Sequence, residues 1–291
     1  MDEWPRDRVA DLADLVGSAL PHEHLSADEL LACCWDDPGV VLALPGGAGA
    51  VAAVVRGVGD LRIGQLKLVA VDPGRRRLGH GRSLLAAAEA WAAAQGAAEM
   101  QIAGAAPFYL WPGVDVHSLA MLCLAEVAGY EVTGCALNLS LPTTFRAEPA
   151  AGVVTRRVLH ESDVAAVEAL VATHWPWWLD ETRRGVEHGT CHAAFADPDR
   201  PRADGEAPAG PEALGFACHS VNRAGWIGPM GTDPAQHHRG LGHALLGQLC
   251  RDLTIADFAD AEVAWIGPVA FYAKAGAAVS HMYRTYRKRL G

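Results

Sequence analysis

Hydrophobic periodicity predicts an alternation of short strands and amphipathic helices that occurs twice along the chain. Apolar residues recur at helical spacing in some segments and form short continuous runs in others. The predicted helices cover residues 6–18, 27–34, 79–95, 118–128, 161–173, 240–255 and 269–275. The predicted strands cover 40–44, 51–55, 65–71, 99–103, 130–141, 153–157, 191–196, 214–220, 226–231 and 262–266, with a final strand after 276. This interleaving indicates the α/β class.

One sequence pattern is written twice and divides the chain into similar halves. Residues 72–85 read DPGRRRLGHGRSLL, and residues 233–246 read DPAQHHRGLGHALL. The repeat predicts one domain over 1–144, a linker over 145–152 and a second domain over 153–291. The glycine loops are 161 residues apart, whereas the glycines that end the next predicted helix are 147 apart. The first half therefore carries 14 extra residues, which we assign to 104–117.

Composition excludes several classes of protein. The net charge of −10 argues against a nucleic-acid partner, because such a partner requires a basic surface. The 51% hydrophobic and 20% charged content is typical of a soluble globular chain, and Pro45-Gly46-Gly47 interrupts its longest apolar stretch, so no membrane span is expected. Seven cysteines without a CxxC motif favour reduced thiols and a cytoplasmic location.

The repeated loop has the chemistry of an anion site. A strand leads into a turn rich in arginine and glycine, and a helix then begins, so that backbone N–H groups and the helix dipole face an anion. Arg75, Arg76 and Arg77 add positive charge. A P-loop requires Lys after its second glycine, and a dinucleotide fingerprint requires a third glycine where Leu84 stands, so neither motif fits.

The pattern that fits resembles the signature of the GNAT superfamily of acyl-CoA-dependent N-acyltransferases, Arg/Gln-x-x-Gly-x-Gly/Ala. Residues 71–81, VDPGRRRLGHG, carry it with Arg76 at the first position. Residues 232–242, TDPAQHHRGLG, keep both glycines and replace the first residue by His237. The resemblance covers nearly the whole chain. It implies two GNAT-like lobes, each a twisted, mostly antiparallel sheet with helices on both faces, in which two central parallel strands, 65–71 and 226–231 among them, splay apart.

The resemblance also implies which residues hold acetyl-CoA, the expected co-substrate. In the first lobe they are Val69, Val71, Arg76, Arg77, Gly79, His80 and Gly81. In the second lobe they are Met230, Thr232, His237, His238, Arg239, Gly240, Leu241 and Gly242. Main-chain N–H groups are expected to do most of this binding, and one at the strand end is expected to polarise the thioester carbonyl.

A second block of the family, Phe-Tyr-x-x-x-Gly, lies before the final strands. Phe271-Tyr272 with Gly276 resembles it, whereas the first half has Ala125 in place of the tyrosine. In the family this tyrosine often donates a proton to the departing CoA thiolate, so Tyr272 is the predicted general acid. Glu262 is the predicted base, with His219 and His281 as alternatives that also suit packing roles.

Function follows from these assignments. The predicted reaction transfers acetyl to a small primary amine, with an amino sugar as one class of acceptor; the alternative is a non-catalytic acyl-CoA-binding or regulatory protein. No metal is expected, because His188 and His192 lack a second ligand pair. Two aromatic segments, 107–116 and 175–178, either pack as structure or wall a substrate pocket.

Overall fold

The computed structural model describes residues 1–148, 151–197, 210–237 and 239–291. The chain forms two compact units. Unit 1 comprises Met1–Leu137 together with His281–Gly291, and unit 2 comprises Asn138–Ser280. Among the described residues, no helix is both long enough and apolar enough to cross a membrane.

Within its described residues, unit 1 contains four α-helices, six complete strands and the first part of a seventh. Its helices are α1 (Val9–Ala19), α2 (Ala27–Cys34), α3 (His80–Ala94) and α4 (Leu119–Val127). Its strands are β1 (Asp2–Glu3), β2 (Gly39–Ala43), β3 (Gly49–Val58), β4 (Leu61–Val71), β5 (Glu99–Ile102), β6 (Val114–Asp115) and the first part of β7 (Glu131–Pro142).

Unit 2 repeats this order. Its helices are α5 (Glu161–His174), α6 (Leu179–Glu187), α7 (Leu241–Ile255) and α8 (Val269–Lys274). Its strands are β8 (Val153–Arg157), β9 (Cys191–Ala196), β10 (Ala213–His219), β11 (Trp226–Thr232) and β12 (Asp260–Val263), and the chain ends in β13 (Ala278–Arg289).

The predicted helices are present, and local chemistry explains their ends. Ser26 caps α2: its hydroxyl accepts the Glu29 N–H and the Glu29 carboxylate accepts the Ser26 N–H, a reciprocal pair that satisfies two helix-end donors. The pattern does not predict α6, because its buried positions are Glu181, Thr182 and Gly185 rather than an apolar stripe.

In both units the sheet is mainly antiparallel, with one parallel pair at its centre. In unit 1, β4 and β5 pair in parallel from Ile63–Glu99 to Gln65–Gln101. In unit 2, β11 and β12 pair in parallel at Trp226–Glu262 and Ile227–Val263. The parallel ladder ends after three pairs in unit 1 and two in unit 2, while the strand that leads to the glycine loop continues, and we call the point where each ladder ends the splay. The predicted α/β fold class is confirmed.

A bulge marks each splay. In unit 1 the register of β3 and β4 skips Lys67, since Ala53 pairs with Leu66 and Ala52 pairs with Leu68. The extra residue reverses the side-chain alternation: Leu66 packs against α3, whereas Leu68 packs on the opposite face with α1 and α2. Unit 2 has its irregularity at the equivalent position, between Ile227 and Met230.

The unit boundaries lie inside two long strands. The last part of β7 pairs with β12 of unit 2, from Asp260–Pro142 to Val263–Leu139. The last part of β13 pairs with β5 of unit 1, from Tyr286–Ile102 to Arg289–Glu99. The units therefore differ from the predicted halves, 1–144 and 153–291, because each half contributes a strand to the other unit's sheet. Residues 149–150 of the predicted linker lie outside the described residues.

Candidate active site

The glycine loop of unit 1 is an ordered turn between β4 and α3. The Asp72 carboxylate accepts the Gly74 N–H at 2.7 Å, which stabilises the turn over Pro73–Arg75. Gly79 is the residue before α3 and has φ of +85°, a conformation that favours glycine. The N–H groups of the first turn of α3 have no acceptor within the helix, so they are available to an anion.

Unit 2 repeats this geometry. The Asp233 carboxylate accepts the Ala235 N–H at 2.8 Å, and Gly240 precedes α7 with φ of +74°. The second glycine of each loop has a different role, because it allows close helix packing. A Cβ on Gly81 would lie 3.2 Å from Leu124, and one on Gly242 would lie 3.0 Å from Phe271. These contacts place Leu124 and Phe271 at equivalent positions.

The predicted cofactor side chains of the first loop lie in different surroundings. The Arg76 guanidinium donates to the carbonyl of Ala19 at 2.8 Å and to that of Val71 at 3.3 Å, so it ties the end of α1 to the end of β4. Arg77 is exposed with φ of +66°, and His80 is half-buried.

In the second loop, Arg239 donates to the side chain of Gln236, His237 is exposed, and Leu241 is buried in the core. His238 lies outside the described residues.

The predicted strand residues lie where the parallel strands diverge. Val69 and Val71 follow the bulge in β4, and Met230 and Thr232 follow the irregularity in β11. Val69 also lies on the wall of a cavity in unit 1. Each pair therefore stands between the splay and the glycine loop of its unit.

Tyr272 and Glu262 lie on opposite faces of the unit 2 sheet. Tyr272 is 6% exposed and packs in the cluster that contains Ala261 and Val263. Because successive side chains of a strand alternate, Glu262 points to the other face, where its carboxylate accepts the Ser280 hydroxyl at 2.8 Å. Burial raises the pKa of Tyr272, so its phenol is protonated at neutral pH. Its hydroxyl has no hydrogen-bond partner among the described residues. In unit 1 the equivalent Ala125 is fully buried.

The two alternative bases have other partners. His219 Nε2 lies 3.4 Å and His192 Nε2 lies 2.7 Å from the Asp252 carboxylate, which also accepts Arg157 at 2.7 Å. These four residues join β8, β9, β10 and α7. His281 Nδ1 lies 2.8 Å from the carboxylate of Asp115, a residue of the extra segment in unit 1. The sequence singled out the segment but not Asp115, because the two partners are far apart in the chain.

Among the described residues, no group of three or more His, Cys, Asp or Glu side chains could hold a metal ion. Of the two histidines considered above as ligands, His192 belongs to the ion cluster around Asp252.

The sequence is similar to a family of acetyltransferases and to individual known proteins. The family model described as "Acetyltransferase (GNAT) family" matches residues 9–110. A protein named mycothiol acetyltransferase from Kineococcus radiotolerans is 31% identical over 237 residues, which cover 71% of this chain and 70% of that protein.

Two solved structures share the fold over 99% of this chain. One is a GCN5-related glucosamine N-acetyltransferase region of a fungal multi-domain GH3 β-N-acetylglucosaminidase, with a TM-score of 0.76, 17% identity and 38% of that chain covered. The other is a tandem GNAT protein from the clavulanic acid biosynthesis pathway, with a TM-score of 0.71, 16% identity and 98% of that chain covered. The signature loops, the splayed parallel strands and the 31% identical relative together show that the chain belongs to the GNAT superfamily of N-acetyltransferases.

Proposed function

We propose that the protein transfers the acetyl group of acetyl-CoA to a small primary amine. The observation that carries this proposal is the arrangement found in both units, in which a strand that splays from its parallel neighbour runs into a glycine-capped helix. Members of the family use acetyl-CoA, and a helix N-terminus at the strand end suits a pyrophosphate.

We assign cofactor binding mainly to main-chain N–H groups of the two glycine loops rather than to side chains. In unit 1 we assign the pyrophosphate to the N–H groups at Gly79, His80 and Gly81, with Arg77 as the nearby exposed cation. Arg76, engaged by the Ala19 and Val71 carbonyls, shapes the loop instead. In unit 2 we assign the same role to the N–H groups at Gly240, Leu241 and Gly242, with His237 and Arg239 from the preceding residues. His238, also predicted for this role, lies outside the described residues.

We assign binding of the acetyl-CoA thioester to the ends of β4 and β11. Val69 and Val71 in unit 1, and Met230 and Thr232 in unit 2, offer main-chain groups at the splay. An N–H group there would stabilise the negative charge that develops on the thioester oxygen.

We propose that unit 2 carries out the transfer. Glu262 accepts a proton from the ammonium group, and the free amine then attacks the thioester carbon. The carbon–sulfur bond breaks, and the Tyr272 hydroxyl donates its proton to the leaving thiolate, which departs as CoA-SH. Burial raises the pKa of Tyr272 and keeps its hydroxyl protonated at neutral pH, which supports its assignment as the acid. The tyrosinate is reprotonated from solvent.

For the acceptor we propose a compact primary amine, with amino sugars as the first class to test. Support comes from the fold shared with a glucosamine N-acetyltransferase region and from tryptophan side chains near both splays. Trp111 lies on the cavity wall in unit 1, and Trp175 packs against Gly231 of β11 in unit 2. Aromatic faces suit the apolar faces of sugar rings.

The test is free-thiol release from acetyl-CoA in the presence of glucosamine and other small amines. We expect Tyr272→Phe to lower kcat roughly a hundredfold or more, the usual contribution of a positioned acid, with little change in KM for acetyl-CoA. Tyr286→Phe is the matched control, because that hydroxyl is buried without a partner. Unchanged turnover by Tyr272→Phe would exclude Tyr272 as the acid. Binding of acetyl-CoA without thiol release across the whole panel would favour a non-catalytic acyl-CoA-binding protein.

A further inference from the structure

The helix that carries Tyr272 is short and depends on its neighbours for its position. Helix α8 spans six residues, Val269–Lys274, and follows Gly267 and Pro268. A helix of this length is unstable by itself, because the few hydrogen bonds after its first turn do not offset the cost of forming that turn. Among the described residues no hydrogen bond orients the Tyr272 hydroxyl. The position of this hydroxyl therefore follows from the position of α8.

The last turn of α8 releases one carbonyl group from its regular partner. In a regular α-helix the Ala275 N–H would donate to the carbonyl of Phe271, four residues earlier. It donates instead to the carbonyl of Tyr272 at 2.9 Å, as in the tighter 3₁₀ turn that often ends a helix. The Phe271 carbonyl, directly beside the proposed acid, is thereby available to a donor from outside α8.

His243 of α7 supplies this donor. Its Nε2 lies 3.1 Å from the carbonyl oxygen of Phe271, and since a carbonyl only accepts, Nε2 carries the hydrogen and donates it. The imidazole also stacks on the Phe271 ring, with 4.3 Å between the ring centroids and 14° between the ring planes. A third ring, that of Phe145, lies 5.9 Å from the imidazole. One side chain thus holds α8 through both a hydrogen bond and ring packing.

His243 also belongs to the helix start that we assign to the cofactor. It is the third residue of α7 and directly follows Gly242. A Cβ on Gly242 would lie 3.0 Å from the Phe271 ring, so α7 and α8 are in close contact at this point. His243 therefore fastens the helix with the proposed acid to the turn assigned to the pyrophosphate.

The equivalent positions of unit 1 have different chemistry. The repeat aligns His243 with Arg82, whose side chain is exposed. It aligns Phe271 with Leu124, and Ala125 stands where unit 2 has the tyrosine. An arginine that faces solvent and a leucine cannot form a stack of two rings. At these described positions, the stack therefore accompanies the tyrosine and is missing where the tyrosine is missing.

We propose that His243 is a positioning residue for the general acid. Through the carbonyl and the ring of Phe271 it holds α8, and with it the Tyr272 hydroxyl, in the position from which the proton is donated to the departing thiolate. This inference rests on the proposed function, in which Tyr272 is the acid. His243 itself does not contact the reacting atoms, and it acts on the reaction only through α8.

The catalytic test is a double-mutant cycle on thiol release from acetyl-CoA with the panel of small amines. We expect His243→Ala to lower kcat roughly tenfold, as for the loss of one hydrogen bond, with little change in KM for acetyl-CoA, because main-chain N–H groups hold the cofactor. In the Tyr272→Phe background the same change should lower kcat by less than about twofold, since the proton donor is already absent. Arg82→Ala, at the equivalent position of unit 1, is the matched control and should turn over like wild type.

Hydrogen exchange followed by mass spectrometry adds a readout that requires no activity. In His243→Ala the amides of residues 271–277 should exchange roughly tenfold faster than in wild type, because α8 loses a contact equivalent to one hydrogen bond. The amides of β9 and β10 should keep their exchange rates, which shows that unit 2 remains folded in the variant.

Three results would overturn the proposal: equal kcat of His243→Ala and wild type, an equally large loss of kcat in the Tyr272→Phe background, or unchanged exchange of residues 271–277. Unchanged turnover by Tyr272→Phe, or no thiol release by wild type, would reject the acid role of Tyr272 and with it this role of His243. Loss of turnover in Tyr272→Phe without loss in His243→Ala would reject the role of His243 alone.

Discussion

Single glycines set the geometry of both loops, and the two glycines of each loop act differently. Gly79 and Gly240 are required by their backbone, since φ of +85° and +74° strains any residue with a Cβ. Gly81 and Gly242 are favoured by their neighbours, since a Cβ would lie 3.2 Å from Leu124 and 3.0 Å from Phe271 and those side chains would have to shift. In each loop, therefore, the first glycine serves the backbone conformation and the second glycine serves helix packing.

Gly79→Ala is expected to weaken acetyl-CoA binding to unit 1. A left-handed alanine costs about 1–2 kcal/mol, which corresponds to roughly tenfold in affinity if the loop must keep its conformation to bind. Isothermal titration calorimetry of the full chain would show one of two sites weakened. Gly57→Ala is the control, because Gly57 lies in β3 with no atom within 4 Å of an added Cβ and without a positive φ. Unchanged affinity at both sites would contradict this role for the loop.

At the scale of elements, a cluster of charged side chains fastens α7 to the sheet of unit 2. Asp252 of α7 accepts Arg157 of β8 and His192 of β9 at 2.7 Å each, and it lies 3.4 Å from His219 of β10. The helix that begins at the second glycine loop is thus held at its far end by three strands. The contacts of this cluster therefore hold the helix that carries the loop.

Asp252→Asn is expected to destabilise unit 2 by about 1–2 kcal/mol near neutral pH, because it weakens the charge-assisted hydrogen bonds from Arg157 and His192 while the partly exposed Arg157 can be hydrated. Burial acts to raise the pKa of Asp252, but the hydrogen bonds from His192 and His219 outweigh it, and the pKa is lowered well below its usual range. The folded state therefore binds fewer protons than the unfolded state. This stabilisation is complete above about pH 5 and declines as pH falls below the unfolded pKa of about 3.9.

Urea unfolding at neutral pH and near pH 3 would measure this dependence, because the loss accumulates below the unfolded pKa. The gap between wild type and Asp252→Asn should narrow at the lower pH. Asp260→Asn, at an exposed position in β12, should behave like wild type at both. A gap that is constant with pH would show that the Asp252 charge does not contribute.

At the scale of the whole molecule, the end of the chain completes the sheet of unit 1. Residues 286–289 of β13 pair with β5, and Tyr286 is fully buried in the core that contains Leu84, Leu85 and Met100. The first unit is therefore complete only when the last residues of the chain are in place.

Tyr286→Ala is expected to cost unit 1 about 3–5 kcal/mol, the usual effect of removing a buried aromatic ring. Hydrogen exchange followed by mass spectrometry should show lost protection in β4 and β5 and unchanged protection in β10 and β11. Tyr286→Phe should keep the protection of wild type. Loss confined to β10 and β11 would contradict the placement of this strand in unit 1.

Much of this architecture can be predicted from the amino-acid sequence, because it depends on interactions between residues close together in the chain. The repeated loop, the capped start of α2 and the strand–helix order depend on residues a few positions apart, so their spacing predicts them. The extra segment 104–117 can also be predicted, because the glycine loops of the two halves are 161 residues apart whereas the glycines that end the next helix are 147 apart. The sequence pattern does not predict helix α6, because its buried residues Glu181, Thr182 and Gly185 do not form an apolar stripe.

What the sequence by itself determined is the resemblance to the family, the two glycine loops and the candidate residue Tyr272, since each depends on a short motif, whereas Glu262 is predicted from its place at the start of the strand after the second glycine-loop helix. Tertiary structure alone decided that Arg76 ties α1 to β4, that Asp115 meets His281, and that Trp175 packs against Gly231. These outcomes depend on residues far apart in the chain, whose meeting is set by strand register and packing. No spacing rule along the chain encodes such contacts.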